Sequence, residues 1–141
     1  MDSREKSKIK QRVPPCIEDL IWFAGFFDGE GYIGLHRRNT RLRCLLIEVS
    51  GTYFPAIAKI RDMWQLGSTA LMKEAPKSTR PAWKWTAASN DALFILRAIF
   101  PYLVVKKREA EIAIPFQETK SGRTGAHATE INVLDEEIAA I

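Results

Sequence analysis

Apolar residues recur along the chain with two alternating periods, and the order of those periods outlines a fold. An acidic pair, Glu18 and Asp19, precedes the apolar positions Leu20, Ile21, Phe23, Phe26 and Phe27. Acidic residues in a first turn suit the positive end of a helix dipole, so a first helix is expected, ending near Gly29–Gly31. Residues 32–38 and 42–50 then alternate at period two around a turn at Asn39 and Thr40. Ile33 and Leu35 form the inward set of the first strand; Leu45, Ile47 and Val49 form that of the second. From Pro55 the period returns to 3.6, with Ile57, Ile60, Met63, Trp64 and Leu66 on one face and Gly67 expected as a left-handed cap. Residues 68–73 and 82–88 predict a second hairpin with Trp83, Trp85 and Ala87 inward, its connection marked by Pro76 and Pro81. A third helix is expected from a Ser89/Asn90 cap to the break at Pro101. A fourth runs from about Val105 to Gln117, interrupted or ended near Pro115.

The resulting order, αββαββα with a helical C-terminal extension, is an α+β pattern. Two hairpins, each preceded by a helix, imply a four-stranded antiparallel, saddle-like sheet with its helices on one face and the other face open. Residues 1–15 form a basic arm carrying Arg4, Lys6, Lys8, Lys10 and Arg12 and ending at Pro14-Pro15; residues 16–119 form the domain; residues 120–141 form a polar linker and an acidic amphipathic stretch.

Composition narrows the class. With 141 residues, 46% hydrophobic and 27% charged, the chain has the make-up of one globular core and lies far from that of disordered chains. Its longest apolar stretch, residues 20–27, falls far short of the roughly 20 residues of a membrane span. No apolar region follows the charged N-terminus, so the protein is expected to be intracellular and not secreted. Cys16 and Cys44 stand far apart without a metal-ligand spacing, which supports neither a disulfide framework nor a zinc site. The net charge of +4 conceals an asymmetry: residues 1–108 hold 19 Lys and Arg against 10 Asp and Glu, while residues 109–141 hold 2 against 7. A basic fold with an acidic tail suits a polyanion partner such as nucleic acid.

The most specific string is Phe23-Ala24-Gly25-Phe26-Phe27-Asp28-Gly29-Glu30-Gly31. Gly25 and Gly29 lie four residues apart on one helix face, with Ala24 beside them, so another helix can approach the backbone closely. Interior glycine costs roughly 1 kcal/mol relative to alanine, so the pair calls for a packing reason. Glu30 sits at the negative end of the helix, where a carboxylate needs a compensating cation. If a second copy packs on the glycine face, two Glu30 carboxylates and the helix-end carbonyls converge, a donor set that suits Mg²⁺.

This string resembles the motif of LAGLIDADG homing endonucleases. The resemblance extends over about residues 17–118, through the element order, the strand ending in Val49-Ser50, the aromatic Trp83-Lys84-Trp85 strand and Pro101-Tyr102-Leu103-Val104-Val105-Lys106. The motif occurs once, which in this family implies a homodimer. Carried over by position, the resemblance implies Glu30 as the metal-binding acid, the carbonyl of Gly29 as a further ligand, and Asp28 as a brace of the dimer interface formed with Ala24, Gly25 and Gly29. It also implies Lys106 as the active-site lysine, or Lys107 if the register is off by one, where a cation stabilises charge developing on phosphate. Gly51 and Thr52 occupy a region where related enzymes often place a polar residue such as Gln; ordering of water then passes to Ser50 or Thr52.

Strand alternation assigns Tyr32, His36, Arg38, Glu48 and Ser50 to the open sheet face, with Lys73, Lys84 and Thr86 from the second hairpin and Arg41 beside the first turn. Such a set suits direct readout in a major groove, although Cys44 and Leu46 share that face. The leading expectation is a homodimeric, Mg²⁺-dependent, site-specific endonuclease that cuts both strands of a long pseudo-palindromic DNA target and, as the resemblance implies, leaves short 3′ overhangs and is encoded in a mobile intron or intein-like element. The alternative is a non-catalytic binder on the same scaffold, an RNA-splicing maturase with intron RNA as partner or a DNA-binding regulator. The acid at position 30 discriminates, since a pure binder has no need of it.

Overall fold

The computed structural model describes residues 12–37, 43–72 and 80–120. Helix α1 (Ile17–Glu30) runs without a loop into β1 (Gly31–Arg37), which is followed by β2 (Arg43–Gly51), α2 (Phe54–Trp64), β3 (Ser68–Leu71), β4 (Trp83–Ala88) and α3 (Ser89–Ile99). A 3-10 turn (Phe100–Tyr102) then leads to α4 (Lys107–Lys120). All strand pairs are antiparallel and the spatial order is β1-β2-β4-β3, so the two hairpins meet along β2 and β4. This is the expected α+β architecture.

The inward set read from the period is the observed core. Ile33, Leu45, Ile47, Val49 and Trp85 are buried against Phe23 and Phe27 of α1, Ile57, Ile60 and Trp64 of α2, and Ile95, Leu96 and Ile99 of α3. Phe23 is the hub: its ring meets those of Trp64 and Trp85 edge-on at 5.5 and 5.8 Å and that of Phe27 at 5.7 Å. Edge-to-face aromatic contacts add about 0.5–1.5 kcal/mol each beyond their buried area. The indole of Trp85 donates to the carbonyl of Leu66 at 3.0 Å, which ties β4 to the segment leaving α2.

The helix ends depart from expectation. Gln65, in the left-handed region (φ 55°), caps α2, and its own side chain donates to the Asp62 carbonyl. Gly67 (φ 81°) lies two residues further on, where a Cβ would strike the Thr86 carbonyl and the Trp85 ring. Its freedom serves the close approach to β4 instead of the cap. Neither Ser89 nor Asn90 caps α3: Ala88 is the N-cap residue, and Ser89 adopts φ 55° so that the chain swings directly from strand to helix. Helix α4 starts two residues later than expected and continues through Pro115 to Lys120. The carbonyl that Pro115 leaves without a helical donor is that of Glu111, on the exposed side of α4 where water can reach it.

Among the described residues, Gln117 is the one buried polar residue of the core. Strand β4 ends at Ala88, opposite Leu46, and the Leu45 N–H one residue beyond donates to Gln117 Oε1 at 3.3 Å. Gln117 Nε2 donates in turn to Asn90 Oδ1 at 3.2 Å. One side chain thus completes the ladder where the strand stops and clips α4 to the start of α3. Gln117→Met preserves volume but strands a buried N–H, so urea unfolding should show a loss of about 1–3 kcal/mol with an unchanged m-value.

Candidate functional site

Helix α1 presents two faces of opposite character. Phe23, Ala24 and Phe27 are fully buried within the chain, whereas Ile17 (57% exposed), Ile21 (51%), Gly25 and Gly29 form an outward stripe at four-residue spacing. Ala24 therefore belongs to the core and is not part of an outward face, because its helical phase, about 100° from Gly25, points it inward. A Cβ at Gly25 or Gly29 would meet no atom within 4 Å, so nothing in this chain requires glycine at either position. The stripe is apolar, backbone-exposing and unused by the protomer.

The C-terminal end of α1 gathers the reactive groups. Asp28 is half-buried, and its carboxylate accepts the backbone N–H of Val104 at 2.9 Å and that of Lys106 at 3.0 Å. Both oxygens are engaged inside the protomer, where Asp28 braces the 104–106 turn. Lys106 Nζ donates to the Asp28 carbonyl at 3.1 Å, two residues from Glu30. The ammonium thereby supplies the cation that the negative helix end calls for. Lys107 points elsewhere, its amine 5.2 Å from the centre of the Phe100 ring. Of the two lysines, Lys106 reaches the helix end. Glu30 itself is exposed, and Gly31 follows it directly into β1, where a Cβ would strike the Phe27 ring.

As a cation site this end is a partial one. Among the described residues no three His, Cys, Asp or Glu side chains come together, so one protomer offers the Glu30 carboxylate and the helix-end carbonyls, including that of Gly29. These are hard oxygen donors of the kind Mg²⁺ takes, and an Mg²⁺ shell is commonly completed by water and phosphate oxygens. The donor chemistry fits; the count requires contributions from outside the protomer.

The open sheet face carries Tyr32, His36, Glu48, Ser50, Lys84 and Thr86, which the register places in adjoining rows. Ser68 joins them, paired directly opposite Thr86 with their hydroxyl oxygens 3.4 Å apart. Ser68 is not among the residues singled out from the sequence, although the alternation of the second hairpin carries that signal. Glu48 and Lys84, diagonal neighbours across β2 and β4, form an ion pair at 3.7 Å. The Tyr32 ring is exposed and lies against Gly34, where a Cβ would meet it. Cys44 shares the face by alternation but is buried. Gly51 ends β2 beside Ser50, and Thr52 follows in an exposed bend. Arg38, Arg41 and Lys73, and the arm before Arg12, lie outside the described residues. Arg12 pairs with Asp91 of α3 at 2.9 Å, so the end of the arm is engaged on the helical layer. No helix among the described residues is long and apolar enough to cross a membrane.

Solved structures with this architecture are LAGLIDADG homing endonucleases. The chain superimposes on I-CvuI in complex with the I-CreI target, crystallised with 2 mM Mg, with a TM-score of 0.71 at 18% identity, over 87% of this chain and 81% of that one. The archaeal intron-encoded I-Vdi141I complexed with DNA gives the same TM-score at 12% identity, over 87% and 83%. I-LtrWI bound to target DNA gives 0.65 at 15% identity, over 97% of this chain but 52% of that one. The chain has the LAGLIDADG endonuclease fold; it spans most of an I-CvuI or I-Vdi141I chain and about half of I-LtrWI. No family model and no curated protein sequence matches it.

The Glu48–Lys84 pair is solvated on both sides, and exposed pairs contribute only about 0–1 kcal/mol. Glu48→Gln should therefore leave the urea midpoint nearly unchanged, which marks the pair as a surface feature and not a structural brace.

Proposed function

We propose that the chain is a homodimeric, site-specific DNA endonuclease that hydrolyses phosphodiester bonds with the help of a divalent metal. The observation that carries the reading is that Lys106, through its own bond to the Asp28 carbonyl and the two bonds its turn makes to the Asp28 carboxylate, is held at the end of α1, on whose last turn Glu30 stands. The DNA-bound state of the similar structures and the 2 mM Mg and 2 mM Ca in two of them support it.

In this reading each element has one task. Tyr32, His36, Glu48, Ser50, Lys84 and Thr86 face the major groove, and Arg38, Arg41 and Lys73 are further DNA contacts expected from the sequence. A sheet strand of nine residues covers about 30 Å, or roughly nine base pairs, so two sheets read a pseudo-palindrome of about 16–22 base pairs. Glu30 and the Gly29 carbonyl would hold Mg²⁺, which supplies charge neutralisation at the scissile phosphate and a more acidic water. Lys106 keeps donors beyond the one it gives Asp28, and these can be offered to a phosphate oxygen as negative charge grows there. Ser50 and Thr52, at the end of β2, would orient water.

Dimerisation completes the site. The stripe Ile17, Ile21, Gly25 and Gly29 supplies an apolar seam with room for a second backbone, and a second copy there supplies the second Glu30. Because the glycines have no role within the protomer, Gly25→Leu should abolish dimerisation and cleavage while leaving the protomer folded, or even slightly stabilised by the roughly 1 kcal/mol that glycine costs a helix. Sedimentation velocity combined with urea unfolding separates these outcomes; a tight Gly25→Leu dimer would sink the seam.

The direct test uses a plasmid pool carrying randomised inserts, incubated with the full chain and Mg²⁺ and sequenced at the cut ends. The expected result is enrichment of one pseudo-palindrome with staggered ends carrying 3′ overhangs. Glu30→Gln should bind the selected duplex with near wild-type affinity and lose cleavage, since it keeps the shape but removes the charge that holds the metal. Selective binding by the wild-type chain with no cleavage in Mg²⁺ would favour the non-catalytic binder. Selection of RNA instead of duplex DNA would favour the maturase.

A further inference from the structure

We propose that Asp28 is a positioning residue for the Lys106 amine, setting where that ammonium stands at the end of α1. The significance for cleavage rests on the endonuclease reading, while the positional claim rests on geometry alone. Residue 28 makes three contacts with one turn: its two carboxylate oxygens accept the N–H groups of Val104 and Lys106, and its carbonyl accepts the Lys106 ammonium. Bonds from N–H groups to a carboxylate are charge-assisted, shorter and about twice as strong as neutral ones.

The turn has little else to hold it. Leu103 is buried on one side, and Lys106 accepts the Ala110 N–H at the start of α4 on the other. Between these anchors Val104 is 80% exposed and Val105 is 67% exposed. A turn whose two valines stand exposed is set chiefly by its hydrogen bonds, and a loop so held opens at low cost when they are removed. Asp28 is therefore the element that converts the long sequence separation between α1 and Lys106 into a fixed offset. Glu30 lies on the same terminal turn of α1, so the offset that Asp28 imposes on Lys106 is an offset between the amine and the carboxylate. Displacement of a reacting group by about 1 Å is enough to cost a large factor in rate.

A merely structural staple and a positioning residue differ in what else moves. Asp28→Asn retains size and one acceptor oxygen but turns an NH₂ toward one of the two backbone donors, breaking half of the bridge. The test is competitive trace acetylation of lysines in the full chain, with Lys107 as internal reference and fragment-ion mass spectrometry to resolve the two sites. In the wild type, Lys106 should react more slowly than Lys107, and the difference should vanish in urea. Asp28→Asn should raise the Lys106/Lys107 ratio about fivefold, the worth of one net hydrogen bond. Equal native reactivity of the two lysines in the wild type, which needs no variant to fold, would overturn the proposal, as would an unchanged ratio in a folded Asp28→Asn.

Single-turnover cleavage of the duplex selected from the randomised pool adds the functional arm. Asp28→Asn should slow wild-type cleavage about tenfold or more yet leave a Lys106→Ala background unaltered, because its effect passes through that amine. Equal losses in both backgrounds would reduce Asp28 to a structural staple. If the wild type cuts no DNA, the endonuclease reading fails, and the acetylation ratio still decides whether Asp28 places Lys106.

Discussion

The burial of Phe23 against the two tryptophans, with the Phe27 ring beside it, is the constraint on which the rest of the structure depends. It clamps α1 between the sheet and the other helices, and it does so from within the same nine-residue string that bears Asp28 and Glu30. Core and site are interleaved on one helix, with alternate phases assigned to packing and to chemistry. Side chains in such a core interdigitate at crystal-like density, so the far face of α1 is held as rigidly as the core behind it. The backbone of the outward glycines and of Asp28 is held with it.

What the helix does not provide, distant segments bring to it. Lys106 arrives from beyond α3, held by hydrogen bonds more than by apolar contact. Ser50 and Thr52 arrive at the end of β2, beside the start of β1. The sheet offers a polar face whose rows are fixed by two antiparallel registers, and the charges on it are already partly paired, as Glu48 and Lys84 show. On the endonuclease reading, a duplex entering such a face would exchange these weak pairs for contacts of its own, so the free-state pairing would set a modest threshold and not a barrier.

Much of this was legible in the sequence because it depends on period. The alternation of Ile33, Leu35, Leu45, Ile47 and Val49 gave both β1 and β2 and their buried face, and the glycine spacing within the aromatic string drew attention to α1. Local conformational details were harder. The left-handed cap falls on Gln65 and not on Gly67, because Gly67 is committed to a close approach that no local pattern announces. Ala24 was grouped with the glycines by adjacency, yet its helical phase puts it in the core. Pro115 reads as a breaker but stands where its orphaned carbonyl faces water. The contact between Asp28 and Lys106 joins residues 78 positions apart. No spacing rule reaches that far, and only the family resemblance brought both residues into view.

The direct passage from Glu30 to Gly31 has a consequence for how a protein of this build changes over evolutionary time. With no loop between helix and strand, and with the Phe27 ring filling the space where any larger residue at position 31 would go, the distance from the end of α1 to the first outward position of β1 cannot be adjusted by insertion or deletion. On the endonuclease reading, new targets are reached by exchanging side chains on the open sheet, while the place of the cut relative to the letters read stays the same. The lineage can rewrite its vocabulary but keeps its punctuation.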